Sequence, residues 1–332
     1  MSGYSMARVY LAVKGTRDKG RPRIAEAHIA LRRDRPNFPS DAGRRRTSPV
    51  EAGETPTPTL VPTPQQTGYA SINGLRLYYE IHGTGEPLVL LHGGLGSTEM
   101  FGPNLPALAA GRQVIAADLQ AHGRTADIDR PLTYEVMGDD IAALIGQLGL
   151  GRADVMGYSL GAGTALRTAI QHPEVLRKLV VVATPCKRNG WYPEIRAAMA
   201  QMTSALGEMM KPSPIYKTYA RLSPRPGDWP ILLGKMGDML RREYDWSDEV
   251  ARITAPVMLV FADSDSIPVA HMAEFYGLLG GSQRDAGWDG SGMQPNRLAV
   301  LPGLTHYNIG VAPALAATVI PFLDAPMPSL AK

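Results

Sequence analysis

Ser159 sits between two glycines in GYSLG, residues 157–161. A serine hydroxyl is a poor nucleophile at neutral pH. It needs an imidazole to take its proton and a carboxylate to orient that imidazole. In a chain with 35 glycines the pentapeptide occurs by chance too readily to carry this chemistry alone, so the partners must be found downstream. His306 in LAVLPGLTHYNIG is the candidate base, on a loop that follows the last apolar run. The candidate carboxylates are Asp263 and Asp265 in PVMLVFADSDSIPVAH, just past another apolar run. One of them closes a triad and the other caps a turn, the usual work of an aspartate there. We assign Asp265 to the triad, with Asp263 as its competitor.

The other histidines have weaker claims. His28 lies in the N-terminal segment, His82 before a turn, His172 at a helix end and His271 on a surface-type helix. Cys186 is the single cysteine, which excludes an internal disulfide, and is expected to be a buried, inert thiol.

Positioning these groups requires rigid elements. ADVM, residues 153–156, reads as a buried strand that runs into Gly157, and LGAGTALRTAIQ begins a helix beyond Ser159. The serine is therefore expected on a tight strand-to-helix turn, near a helix N-terminus that favours developing negative charge. YASINGLRLYYEIHG has β-rich runs either side of Asn73-Gly74 and predicts a hairpin. Buried strands are expected in EPLVLLHGG, Val114–Ala117, Ala153–Met156, Leu179–Ala183, Val257–Phe261 and Leu298–Leu301. Helical patterns fall at Tyr134–Leu148, Leu160–Gln171, Val269–Leu279 and Ala312–Leu323. Strand and helix in alternation predict a mostly parallel sheet with helices on both faces.

One interval breaks the alternation. Residues 186–250 hold helix formers, repeated prolines and three of the four tryptophans, and are expected to form a helical cap inserted between core segments 69–185 and 251–332. Its methionines and aromatics suit an adaptable apolar cavity. Residues 1–68 carry twelve Lys/Arg against six Asp/Glu with no sustained apolar period, and read as a disordered basic, Pro-rich tail. The net charge of +3 belongs to this tail and gives no ground for a nucleic-acid partner. No apolar run approaches the roughly 18 residues that span a bilayer, and no signal-type segment opens the chain, so a cytoplasmic protein without a membrane partner is expected. Residues 280–296 lack EF-hand spacing and read as a surface loop, and no motif calls for a metal or cofactor.

LLHGG, AADLQAHGRT, DVMGYSLGAG, FADSDSIP and PGLTHY occur in the order and at the intervals of the α/β-hydrolase superfamily, which residues 69–325 resemble. The resemblance implies an α/β-hydrolase fold and the catalytic order Ser159, Asp265, His306. It also implies an oxyanion hole from the backbone N–H groups of Gly94 and Leu160, and structural roles for His92 and His122. Family members have G-x-x-D before the acidic residue. This chain has Ala262 at the glycine and Pro268 one residue early, which keeps Asp263 in contention.

Dehalogenases and epoxide hydrolases of the superfamily carry aspartate at the elbow, so Ser159 argues against both. The implied function is a cofactor-free serine esterase or lactonase acting on an apolar small-molecule ester. GYSLG, LLGG and LPGLTHYNI are also similar to bacterial esterases that open macrolide lactones. Carbon–carbon hydrolases of aromatic catabolism, cofactor-free perhydrolases and non-catalytic receptors on the same fold are the alternatives. The sequence leaves the oligomeric state open.

Overall fold

The computed structural model describes residues 63–327. Eight strands form one sheet: β1 (Gln66–Ile72), β2 (Leu75–His82), β3 (Glu86–Leu91), β4 (Arg112–Ala117), β5 (Ala153–Tyr158), β6 (Leu176–Val182), β7 (Val257–Ser264) and β8 (Arg297–Thr305). Their spatial order is β1-β2-β4-β3-β5-β6-β7-β8. β1 and β2 form an antiparallel hairpin and β2 is antiparallel to β4, while every pair from β4 to β8 is parallel. The hairpin turns at Asn73-Gly74, both at positive φ, as a type I′ turn demands.

The central strands read as continuous apolar runs because both faces are covered. On one face, α1 (Asn104–Ala109) and α8 (Pro313–Asp324) set Leu105, Leu108, Leu315 and Val319 against Leu88, Leu90, Val180 and Val260. α2 (Tyr134–Gln147) and α3 (Leu160–Gln171) pack against each other, and α3 packs on β5 and β6 through a small-residue stripe that lets it approach closely. The chain leaves β3 to one side for β4 and returns on the other side for β5. The carboxyl ends of β3 and β5 therefore face a topological switch point, where open α/β sheets hold their sites.

Between β6 and β7 lie α4 (Pro193–Ala200), α5 (Pro214–Leu222) and α6 (Trp229–Arg241), with a single helical turn at Gly207–Met210 between the first two. This is the segment expected as a cap. Arg188–Trp191 and Tyr244–Trp246 are its two stems, held together where the Trp246 N–H donates to the Cys186 carbonyl. Ion pairs tie its far side to the core. Arg221 reaches Glu99, and Lys235 lies 2.6 Å from Asp127 while also donating to the carbonyls of Ile128 and Arg130.

β8 is the outer edge of the sheet. Leu298 and Val300 are exposed along it, and Pro302 lies in its second half.

Three expectations need correction. The tail was bounded at residue 68, but β1 begins at Gln66 and Gln65 already donates to the Ile81 carbonyl. Polar Gln66 and Thr67 sit on the exposed, outermost strand, where no apolar pattern is required to pair. Residues 1–62 lie outside the described residues. A truncation through residue 68 removes the pairs Gln66↔Ile81, Thr67↔Glu80 and Gly68↔Tyr79, and is expected to melt lower than one ending at residue 62. Equal melting temperatures would show that these pairs add nothing.

Second, α1 was not anticipated, because it is short and Pro106 hides its period. Third, His271 is buried rather than on a surface, since α7 (Val269–Leu278) packs against the chain around Gly190. Its Nδ1 lies 3.0 Å from Glu274 Oε2 and its Nε2 3.8 Å from Cys186 Sγ. Burial pushes the Cys186 thiol up to about 12, which keeps it protonated and unreactive.

Candidate active site

Ser159 occupies the turn between β5 and α3 with φ 52° and ψ −111°, a left-handed-side conformation that a β-bearing residue rarely adopts. The surroundings force it. A Cβ on Gly157 would lie 2.1 Å from the Gly161 carbonyl oxygen, and one on Gly161 would lie 2.2 Å from the Leu91 carbonyl oxygen. Both glycines of GYSLG are thus required by close approach of backbones. Gly161→Ala gains helix propensity but must push α3 off β3. The clash wins, and a net loss of about 1–3 kcal/mol is expected in thermal melts. An unchanged melt would mean that the crossing relaxes freely.

The structure brings Ser159, His306 and Asp265 together from three strand ends. Ser159 Oγ lies 3.1 Å from His306 Nε2, and His306 Nδ1 lies 2.9 Å from Asp265 Oδ1. The Asp265 carboxylate is fully buried. Its Oδ1 also accepts the Ser266 N–H at 2.7 Å, and its Oδ2 accepts the Ala262 N–H at 3.1 Å. These donors fix the carboxylate and hold it acceptor-only toward the imidazole, so Nδ1 carries the proton and Nε2 offers its lone pair to Ser159.

Asp263 is exposed and turned away from the imidazole. Its Oδ2 accepts the Gly303 N–H at 3.0 Å, tying β7 to the rising segment that carries His306. A register shift between Ala262 and Ser264 separates the two aspartates in direction.

Gly94 and Leu160 come close to each other. A Cβ on Gly94 would lie 3.8 Å from Leu160 Cβ and 3.0 Å from the Met236 methyl group, which descends from α6. Leu160 opens α3, so its N–H lies at a helix N-terminus. Among the described residues, neither N–H has a hydrogen-bond acceptor. The preceding loop is shaped by Leu95 at φ 59° and by the Gly96 N–H donating to the Gly93 carbonyl.

His92 and His122 support this loop from beneath. His92 Nδ1 donates to the Gly93 carbonyl at 2.7 Å, and its Nε2 accepts the Leu119 N–H at 3.1 Å. Its ring centroid is 5.2 Å from that of His122. Burial drives His92 down to about 3 and His122 down to about 4, so both are neutral in the folded protein. In the unfolded chain each takes a proton near pH 6.5. Their contribution is thus whole above about 6.5 and is lost as pH falls toward 4, at up to about 1.4 kcal/mol per pH unit for each. Urea midpoints should accordingly drop between pH 7 and pH 5, and a flat profile would contradict neutral burial of the pair.

The His306 ring is flanked by aromatic rings. Trp191, from the segment between β6 and β7, meets the His306 ring edge-on at 5.4 Å, and Tyr158 lies 5.7 Å away on the core side. Sequence reasoning placed neither, because both contacts join segments more than a hundred residues apart.

Residues 86–210 match the family model described as the alpha/beta hydrolase fold. Among curated relatives, the chain is 40% identical over 120 residues to a putative carbamate hydrolase RutD of Caulobacter sp. (strain K31), covering 35% of this chain and 42% of that protein. It is 33% identical over 141 residues to the sn-1-specific diacylglycerol lipase ABHD11 of Danio rerio, covering 42% of this chain and 43% of that protein. The match thus spans about two fifths of the length of these curated relatives. Of solved structures, the E-2-(acetamidomethylene)succinate hydrolase superposes with a TM-score of 0.62 at 22% identity, over 78% of this chain and 99% of that one. The enol-lactonase of Burkholderia xenovorans LB400 does so at 0.57 and 22%, over 77% and 100%. At such identities these two speak to fold alone. With the strand order, the elbow and the match over residues 86–210 in agreement, the described chain has the α/β-hydrolase fold.

Proposed function

We propose that the chain is a serine hydrolase that cleaves a carboxylic ester or lactone through an acyl-enzyme. The observation that carries the reading is the continuous relay Ser159 Oγ, His306 Nε2, His306 Nδ1 and Asp265 Oδ1, with links of 3.1 and 2.9 Å. In this reading Ser159 Oγ attacks the substrate carbonyl while His306 Nε2 takes its proton, and Asp265 stabilises the imidazolium. The tetrahedral oxyanion is held by the N–H groups of Gly94 and Leu160. His306 then protonates the leaving alcohol. Water, activated by the same imidazole, hydrolyses the acyl-enzyme and restores Ser159. No step requires a cofactor or metal.

Met236 and Trp191 line the approach from the cap and favour an apolar acyl or alcohol moiety, with macrolide lactones among the candidates. A carbamate is the second reading, favoured by the 40% identity to a putative carbamate hydrolase. It would use the same relay on a carbonyl bonded to nitrogen.

Turnover of p-nitrophenyl acetate and covalent labelling of Ser159 by a fluorophosphonate test the reading together. Labelling is expected at Ser159, and His306→Ala is expected to suppress it. Labelling at another serine refutes the assignment, and a protein inert to both reagents favours the receptor alternative. A panel of esters, macrolide and small lactones, carbamates and vinylogous diketones then separates the substrate classes.

A further inference from the structure

Tyr158, the residue before Ser159 in GYSLG, is almost fully buried and points its hydroxyl at the chain segment that bears His306. Its O–H donates to the backbone carbonyl of His306 at 2.5 Å, across 148 positions of sequence. The same ring reaches two further parts of the site. A Cβ on Gly93 would lie 2.8 Å from its Cε1, so the ring lies against the loop that leads to Gly94. A Cβ on Gly310 would lie 3.3 Å from it, just beyond His306.

On the core side the segment is also held by the pairing of Thr305 with Ser264 and, beyond the base position, by the Asn104 amide donating to the Gly310 carbonyl at 2.9 Å, but the backbone carbonyl of His306 itself is held by Tyr158. The Thr305 N–H is capped by Asn308 Oδ1 at 2.7 Å, but that bond is exposed and local to the turn. Gly303 is tied to Asp263, three residues before the base. A buried carbonyl without a donor is costly, so the Tyr158 hydroxyl fixes where the His306 backbone can sit. Burial, and next the charge of Asp265, lift the Tyr158 phenol above its ordinary value, so it remains a donor at any working pH.

We infer that Tyr158 is a positioning residue: its hydroxyl sets the His306 backbone so that Nε2 meets Ser159 Oγ, and so couples the base loop to the nucleophile elbow one residue away. This rests on the serine-hydrolase reading. Proton transfer in the attack depends steeply on that separation, and displacements below 1 Å are felt in the rate. Substrate binding does not involve the hydroxyl, which is spent on a backbone carbonyl.

Tyr158→Phe keeps the ring and removes the donor alone. The variant is expected to fold, with a melting temperature lower by a few degrees. Its kcat for p-nitrophenyl acetate should fall on the order of tenfold, with KM changed by less than about twofold. The second-order rate of Ser159 phosphonylation by a fluorophosphonate should fall by the same factor. A purely structural role would lower the melting temperature and leave both rates intact, and that result overturns the inference. So does a loss expressed in KM alone. Wild-type protein that neither turns over the ester nor labels at Ser159 refutes the serine-hydrolase reading instead, so the two failures are distinguishable.

Discussion

Ser159→Ala is expected to fold as the wild type does and to lose turnover by a factor on the order of 10⁵–10⁶. The substitution removes one oxygen and keeps Cβ, so the backbone at φ 52° is no more strained than before. That oxygen's partner in the structure is His306 Nε2 at 3.1 Å, a bond too exposed to the site to matter greatly for stability. The nucleophile, in contrast, is indispensable to an acyl-enzyme route. The residue of catalysis that survives would come from oxyanion stabilisation and substrate positioning alone. Steady-state kinetics with a circular-dichroism melt check both halves. Retention of most activity would remove the mechanism altogether, and a collapsed melt would show that the hydroxyl is structural.

Asp265→Asn and Asp263→Asn should part company by orders of magnitude. Asp265 is enclosed, accepts from Ser266, Ala262 and His306, and is the group that faces Nδ1. Asparagine preserves its volume but brings an amide donor, which favours the wrong imidazole tautomer and no longer stabilises the imidazolium. The template triad loses on the order of 10⁴ in rate from this change. Asp263→Asn retains an oxygen that can accept the Gly303 N–H, so the expected cost is about 1 kcal/mol of stability or less, with the rate nearly intact. A larger rate defect in Asp263→Asn would move the carboxylate role two residues upstream. No defect in either would direct the search to another strand end.

The local parts of this arrangement were legible before any coordinates. GYSLG announces a close strand-to-helix crossing because only glycine fits at 157 and 161, and the buried strands announce themselves as apolar runs because helices cover both faces. The choice between Asp263 and Asp265 was harder. It depends on the irregularity near the end of β7, a tertiary accommodation to β8 that no propensity encodes. His271 read as a surface residue for a similar reason: its own helix is amphipathically ambiguous, and only the neighbouring chain around Cys186 and Gly190 buries it. Tyr158 was passed over because its partner is a backbone carbonyl, which leaves no side-chain signature.

The outermost strand carries a liability that its sequence also answers. Among the described residues no strand pairs with the outer side of β8, where Leu298 and Val300 are exposed, the kind of apolar border to which another chain could add a strand. Pro302 has no N–H to offer such an intruder and lies within the strand four residues before His306. The strand that leads to His306 thus carries, near that end, a residue that disfavours edge-to-edge pairing.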